Sequence, residues 1–407
     1  MHVAIDASNI GSGLGGDETM ARALVRALVS GAQPDDRLDV LLDDGAMLEG
    51  DRVVLRSGGP GDGAGLVDGA SGVGGGATVV VSNTPRRGGS RHFLRELPRW
   101  VASLRPRPDL LVSFTHAPIR CSVPVALMVP DLSFEHLPGA FPRSTRVRLR
   151  ALVRRQAASA RGVLTISGFC RADLVSTYGL APDRVHHVPL HAEPPGAAPS
   201  ATAEAEVRQR LGIEGRFVIY LGNLHPRKNL GVAIEAVASA RTRHRAMADH
   251  TFVVAGATWW GDPDDGGAAR RSVPDGVSFI GRVSDEDRHV LLAAADALVY
   301  PSRFEGFGLP PLEAMARDTP VVASNVTSIP EICGDAALLV DPDDVEAMAD
   351  ALAAAVTDRT VRAGLIRAGR ARIEHYSPAR TTAALWEALH AMADRPLQSR
   401  ITAAGRR

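Results

Sequence analysis

The chain has 407 residues, 45% of them apolar and 23% charged, and its 46 basic residues balance 46 acidic ones. That composition is ordinary for a globular protein long enough for two domains, and the absence of net charge argues against a polyelectrolyte partner such as nucleic acid. Three widely spaced cysteines, Cys121, Cys170 and Cys333, exclude a disulfide framework and a cysteine-rich zinc site.

The opening Met1–Asp6 lacks the basic segment and long apolar core of a signal peptide. No apolar run reaches the ~18–20 residues of a membrane span, so a cytoplasmic chain is expected. Strands are predicted at Val3–Asp6, Asp109–Ser113, Pro124–Val129, Gly162–Ile166 and Arg184–Val188. A second set follows at Phe217–Gly222, Phe252–Ala255, Val277–Ile280, Ala297–Tyr300, Pro320–Ala323 and Ala337–Val340. Most are continuous apolar runs, the pattern of parallel strands covered on both faces. Between them lie helical stretches such as Asp17–Ser30, which puts Met20, Ala23, Leu24, Ala27 and Leu28 on one face. Ser57–Gly76 holds ten glycines in twenty residues and is expected as a surface loop, because it offers nothing to bury. Pro189, Pro194, Pro195, Gly196 and Pro199 mark a linker. The expected architecture is α/β, with two doubly wound Rossmann-like domains facing a cleft. Their bounds are 1–190 and 207–390, joined by a linker at 191–206 and followed by a polar tail at 391–407.

Three segments at strand ends carry candidate chemistry. Pro301–Met315, reading PSRFEGFGLPPLEAM, follows a strand and leads into a helix expected to start near Pro311, since proline is favoured at the first helical position. The backbone from Gly306 through Phe307, Gly308 and Leu309 is a candidate anion site at the positive end of the helix dipole. Glu305 lies ahead of it and Glu313 in the first turn. Taken singly, each glutamate reads as a solvated or helix-complementing carboxylate. Gly222–Asn229, reading GNLHPRKN, forms a turn after another strand, in which Gly222 and Asn223 lead to the cations Arg227 and Lys228. Lys228 is the only lysine among the 46 basic residues, as expected where a compact ammonium rather than a planar guanidinium is needed. Asn9–Asp17 is glycine-rich, and Gly15 and Gly16 would let backbone approach a phosphate. His116 and Asp131 follow strands of the first half, where doubly wound sheets bind ligands.

Together these strings resemble the retaining GT-B glycosyltransferases of the group 1 (family 4) type, most closely the bacterial mannosyltransferase-like branch. EGFGLPPLEAMA is similar to the family's E-x7-E signature, borne by Glu305 and Glu313, and GNLHPRKN to its donor-diphosphate motif, with Arg227 and Lys228 in the basic positions. Ser324–Pro342, Gly13–Thr19, Val129–Pro138 and Val163–Leu174 also resemble family segments. Two departures stand out. Pro130-Asp131 replaces the frequent His-Asp, and Gly222-Asn223-Leu224 replaces Gly-Arg-Leu.

The resemblance implies transfer of a sugar, mannose from GDP-mannose in the first instance, from a nucleotide diphosphate to an acceptor hydroxyl with retention. It implies no cofactor and no bound metal. The Asp262–Asp265 cluster among proline and glycine reads as a turn, and no group of side chains has metal-ligand spacing. The acceptor is open, lipid-linked or a small molecule. Arg143–Arg155 carries six arginines around apolar residues, so peripheral contact with an anionic membrane is a candidate property, against a merely solvated helix face. The rival readings are a sugar-nucleotide epimerase of the same fold and a relative that binds sugar nucleotides without transferring them.

Overall fold

A computed structural model describes residues 1–10, 16–43, 46–49, 52–55, 77–84, 91–114, 116–193, 198–257 and 275–395. Gly15, the glycine-rich 57–76 stretch and the Asp262–Asp265 cluster lie outside these residues.

The first domain is built on a seven-stranded sheet. Its strands are β1 (His2–Asp6), β2 (Arg37–Asp43), β5 (Thr78–Thr84), β6 (Leu110–Ser113), β7 (Val125–Met128), β8 (Gly162–Thr165) and β9 (Val185–His187). They run in the order β5-β2-β1-β6-β7-β8-β9, and every pairing is parallel. A small antiparallel hairpin of β3 (Ala46–Glu49) and β4 (Arg52–Leu55) stands beside it. The second domain has six parallel strands, β10 (Phe217–Leu221), β11 (Thr251–Ala255), β12 (Val277–Gly281), β13 (Leu298–Tyr300), β14 (Val321–Ser324) and β15 (Ala337–Val340), ordered β12-β11-β10-β13-β14-β15. β1, β6, β10 and β14 are buried along their whole length, as sheets clothed by helices on both faces require.

The expected doubly wound class is therefore present twice, with additions. The sequence reading passed over β2, β5 and the hairpin. β2 is interrupted by Asp39, which looks wrong for a buried strand until its partners are seen. Asp39 is 1% exposed, and it is neutralised by the His2 ring and by Arg37 Nε at 2.9 Å.

Of the linker expected at 191–206, residues 194–197 lie outside the described residues, and 201–206 belong to the helix Ala201–Leu211, capped by Ser200. The other end of the chain returns to the first domain. Helix Pro378–Asp394 packs on helix Gly16–Gly31, with Trp386 Nε1 donating to the Ala27 carbonyl at 3.4 Å. Thr381 of that helix pins the crossover, its hydroxyl donating to the Pro189 carbonyl at 2.8 Å and meeting His191 Nδ1 at 2.9 Å. Among the described residues no helix is long and apolar enough to cross a membrane.

Candidate active site

The site forms where strand ends of the two sheets face each other. After β10 the chain turns at Gly222, whose φ of 152° lies in the glycine region. Its carbonyl sits so close to Gly256 that a Cβ there would meet it at 1.8 Å. A short 3-10 turn, Pro226–Lys228, then presents both cations, and His225 Nδ1 accepts from the Arg227 amide at 3.1 Å. Asn229, at φ 57°, ends the turn, with its amide donating to the Pro342 carbonyl at 2.6 Å.

After β13 the chain runs through Ser302–Gly308 into a helix that begins at Leu309, two residues before the expected start, with its prolines still in the first turn. Glu305 is 4% exposed and faces the cations. Its Oε1 accepts from Lys228 Nζ at 2.6 Å and from the Tyr300 hydroxyl at 2.9 Å, and its Oε2 accepts from Arg227 Nη1 at 2.9 Å. Arg227 also donates to the Phe304 carbonyl at 2.5 Å. Thr327 Oγ1 accepts from the Glu305 amide at 3.1 Å, and the Ser328 hydroxyl contacts the carbonyls of Glu305 and Phe307 at 2.9 and 3.0 Å.

These contacts set the charges. Burial alone would raise the Glu305 carboxyl, but Arg227 and Lys228 hold it down at about 2. Burial lowers Lys228 to about 8, with Arg227 adding to the effect and Glu305 opposing it. Burial also opposes the charge on Arg227, yet Glu305 and Asp131 keep it firmly protonated. His225 is pushed down to about 4 by burial and by the two cations, so it is a neutral ring. Within the loops of the second domain two cations stand against one carboxylate, an excess of positive charge that suits an anion with several oxygens.

The first domain contributes Asp131, whose Oδ1 accepts from the Ser133 amide at 2.8 Å. It also contributes Asp17, at the start of helix Gly16–Gly31. The Asp17 carboxyl is raised by desolvation and by Asp131, and drawn back by Arg227 and Lys228. Asp17, Asp131, Arg227, Lys228 and Glu305 thus share one electrostatic neighbourhood. Asp17 and Tyr300 were not singled out from the sequence. For Asp17 the available signal was its place directly after Gly16; for Tyr300 there was none.

Other candidates sit differently. Gly306 was expected to free its amide for an anion, but a Cβ there would lie 2.5 Å from the Pro130 carbonyl. Its glycine is thus accounted for by the abutting first domain, and its carbonyl accepts from Cys170 Sγ at 3.3 Å. Gly308 has φ 103° and crowds Ile329. Glu313 turns toward Arg288 Nη2 at 3.4 Å, with its carboxyl raised by burial. His116 packs edge-on against Phe93 at 5.4 Å and is lowered by burial; none of its described contacts reaches the cation cluster. On the same sheet edge, buried Asp6 meets Ser8 Oγ at 2.7 Å and His92 Nε2 at 3.2 Å. The basic helix Arg143–Ser159 engages Arg150 with Glu135 at 2.5 Å, Arg146 with the Phe134 carbonyl at 3.1 Å and Arg154 with the Tyr178 ring. Among the described residues no group of three ligating side chains could hold a metal ion.

The domains touch around the cluster. Phe304 stacks on His136 at 5.5 Å and His225 meets Phe141 at 5.0 Å. Glu331 of the second domain accepts from the amides of Gly168 and Phe169 of the first, both at 2.8 Å.

This two-domain chain has clear relatives. Residues 204–372 match the family model "Glycosyl transferases group 1", and residues 14–190 match "Glycosyltransferase Family 4". The chain belongs to the group 1 glycosyltransferases. The Escherichia coli O-antigen chain mannosyltransferase B is 31% identical over 61% of this chain and 65% of its own length. The Salinispora arenicola D-inositol 3-phosphate glycosyltransferase is 34% identical over 53% of this chain and 51% of its own length. The chain thus spans about half to two thirds of these relatives. Among solved structures, Anabaena HepE in complex with UDP and glucose superposes with a TM-score of 0.67 at 19% identity, covering 96% of this chain and 99% of that one. That likeness establishes the GT-B fold for this group 1 glycosyltransferase.

Proposed function

We propose that the chain transfers a hexose, mannose from GDP-mannose in the first instance, from a nucleotide diphosphate to an acceptor hydroxyl with retention at the anomeric carbon. The observation that carries this reading is the buried Arg227–Lys228–Glu305 cluster facing Asp17 and Asp131 across the cleft. The mannosyltransferase relative supports the choice of sugar.

Glu305 holds both cations together, and in this reading the same pair receives the diphosphate. An entering diphosphate competes for them and frees Glu305 to meet sugar hydroxyls. As the bond from the anomeric carbon to the diphosphate breaks, negative charge grows on the leaving oxygens, and Arg227 and Lys228 are already aimed at it. The acceptor oxygen bonds to the anomeric carbon on the same face, and its proton passes to the departing phosphate. Glu313, the fifth residue of helix Leu309–Met315 rather than part of its first turn as expected, is the candidate for the ribose hydroxyls. The six arginines of Arg143–Arg155, on helix Arg143–Ser159, keep contact with a lipid-linked acceptor's membrane as part of this reading.

A thermal-shift panel of GDP, UDP, ADP and dTDP, followed by product analysis with the matching sugar nucleotide, tests the reading. A nucleotide at 100 times its dissociation constant adds about 2.7 kcal/mol, a visible shift. Stabilisation by GDP alone supports the mannosyl donor, while UDP alone moves the donor to another hexose. Hydrolysis or transfer with inverted product anomer would defeat the retaining assignment.

A further inference from the structure

We propose that Tyr300 is the positioning residue of the cation pair, its hydroxyl holding Lys228 in place whichever anion that lysine faces; the inference rests on the diphosphate reading above. Tyr300 ends β13 and is fully buried, and its backbone is fixed by pairing with Ala323 of β14. A phenol has one proton to give and lone pairs to receive. Here the lone pairs accept from Lys228 Nζ at 2.9 Å and the proton goes to Glu305 Oε1 at 2.9 Å. The ammonium lies 5.1 Å from the ring centroid, on the hydroxyl side, so the oxygen is the group that meets it.

A lysine carries a point charge on a flexible stem and needs such an anchor, whereas the planar fork of Arg227 is stiffer. The anchor must be neutral, because a second carboxylate would compete with a diphosphate. Tyr300 meets that need, since burial and Glu305 raise its hydroxyl well above the ordinary value. The other charged groups facing the ammonium are Glu305, Arg227 and Asp131, with Asp17 beside them from the first domain and His225 adjacent as a neutral ring. Phenylalanine at this position would keep the packing and leave a buried ammonium N–H and a carboxylate oxygen each short of a partner.

Lys228 is the chain's only lysine, so lysine-specific 15N labelling of the full protein gives a single side-chain signal. In the wild type that signal is expected to titrate near about 8 and to move when GDP or UDP is added. In Tyr300→Phe it is expected to titrate lower by about half a unit or more, because a neutral acceptor favouring the ammonium is gone. Affinity for GDP or UDP falls about tenfold, while guanosine or uridine binds as before. A packing role alone would lower the melting temperature and leave the titration where it was. A Tyr300→Phe protein that titrates and binds like the wild type overturns the proposal. With only four tyrosines, 13C-tyrosine labelling of the wild type supplies a readout that needs no variant. A Tyr300 ring signal that ignores deprotonation of Lys228 overturns it equally. If no nucleoside diphosphate moves the wild-type lysine signal, the diphosphate reading fails and the positioning role with it, whatever the variant does.

Discussion

At the scale of single residues the site is a problem of charge. Lys228 and Arg227 share Glu305 through short contacts, the lysine's buried and the arginine's partly so. In the proposed reading, removing the ammonium with Lys228→Ala deletes one of two groups that would face the leaving diphosphate. By analogy with the loss of one oxyanion donor, kcat/KM should fall by about 2.7–4 kcal/mol, roughly 10²–10³-fold. Near-normal turnover in a folded variant would remove the diphosphate assignment. The same residues dictate two pH effects of opposite sense. Lys228 titrates near about 8, so donor binding should weaken as pH rises through that value, read from nucleotide affinity across pH 6.5–9.5. Glu305 is held near about 2, below its ordinary 4.5, so its contribution to stability is present above about 4.5 and lost as pH falls toward about 2. Glu305→Gln should blunt that acid limb, measured as melting temperature against pH. These two cations and the glutamate were legible in the sequence because they sit in contiguous strings, and Lys228 also by being alone of its kind. Tyr300 and Asp17 were not, because their roles depend on partners 72 positions away for one and in the other domain for the other.

At the scale of elements, local backbone geometry decides which strings can form the site. Gly308 joins the loop to helix Leu309–Met315 at φ 103°, and an added Cβ would stand 2.6 Å from Ile329 Cδ1. Gly308→Ala should therefore cost about 1–3 kcal/mol, seen as a lower melting temperature, with nucleotide affinity falling as the loop shifts. An unchanged melting temperature would mean the loop adapts freely. The sequence showed this helix clearly, through its paired prolines, and most strands as unbroken apolar runs. It hid β2 because the charge of Asp39 is cancelled by His2 and Arg37, a compensation that exists only after the strands pair. Gly306 shows the limit in the other direction. Its glycine was legible, but the reason for it, the Pro130 carbonyl of the first domain, was not.

At the scale of the whole molecule, the cluster is complete only while the domains meet, and Glu331 makes one of the contacts that join them. Glu331 reaches from helix Ile329–Cys333 to the first amides of helix Gly168–Tyr178, where its charge meets the positive end of the helix dipole. From behind, Arg372 and the Tyr376 hydroxyl, the latter at 3.3 Å, hold the Glu331 carbonyl, while Arg372 Nε donates to the Ile332 carbonyl at 2.9 Å. The carboxylate is thus fixed in its own domain and points at the other. Hydrogen bonds to a charged group contribute about 1.5–3 kcal/mol each, and both are available only in the closed arrangement. Glu331→Ala should shift the balance toward open molecules by at least about tenfold. Small-angle scattering should then give a larger radius of gyration that saturating nucleotide only partly reverses, and the KM for donor should rise more than kcat falls. Each domain keeps its own core in this variant, so its melting temperature should change little beside that of Gly308→Ala. Scattering curves that superpose for wild type and variant would mean closure is carried instead by the aromatic contacts of Phe304 and Phe141, and those would become the residues to change.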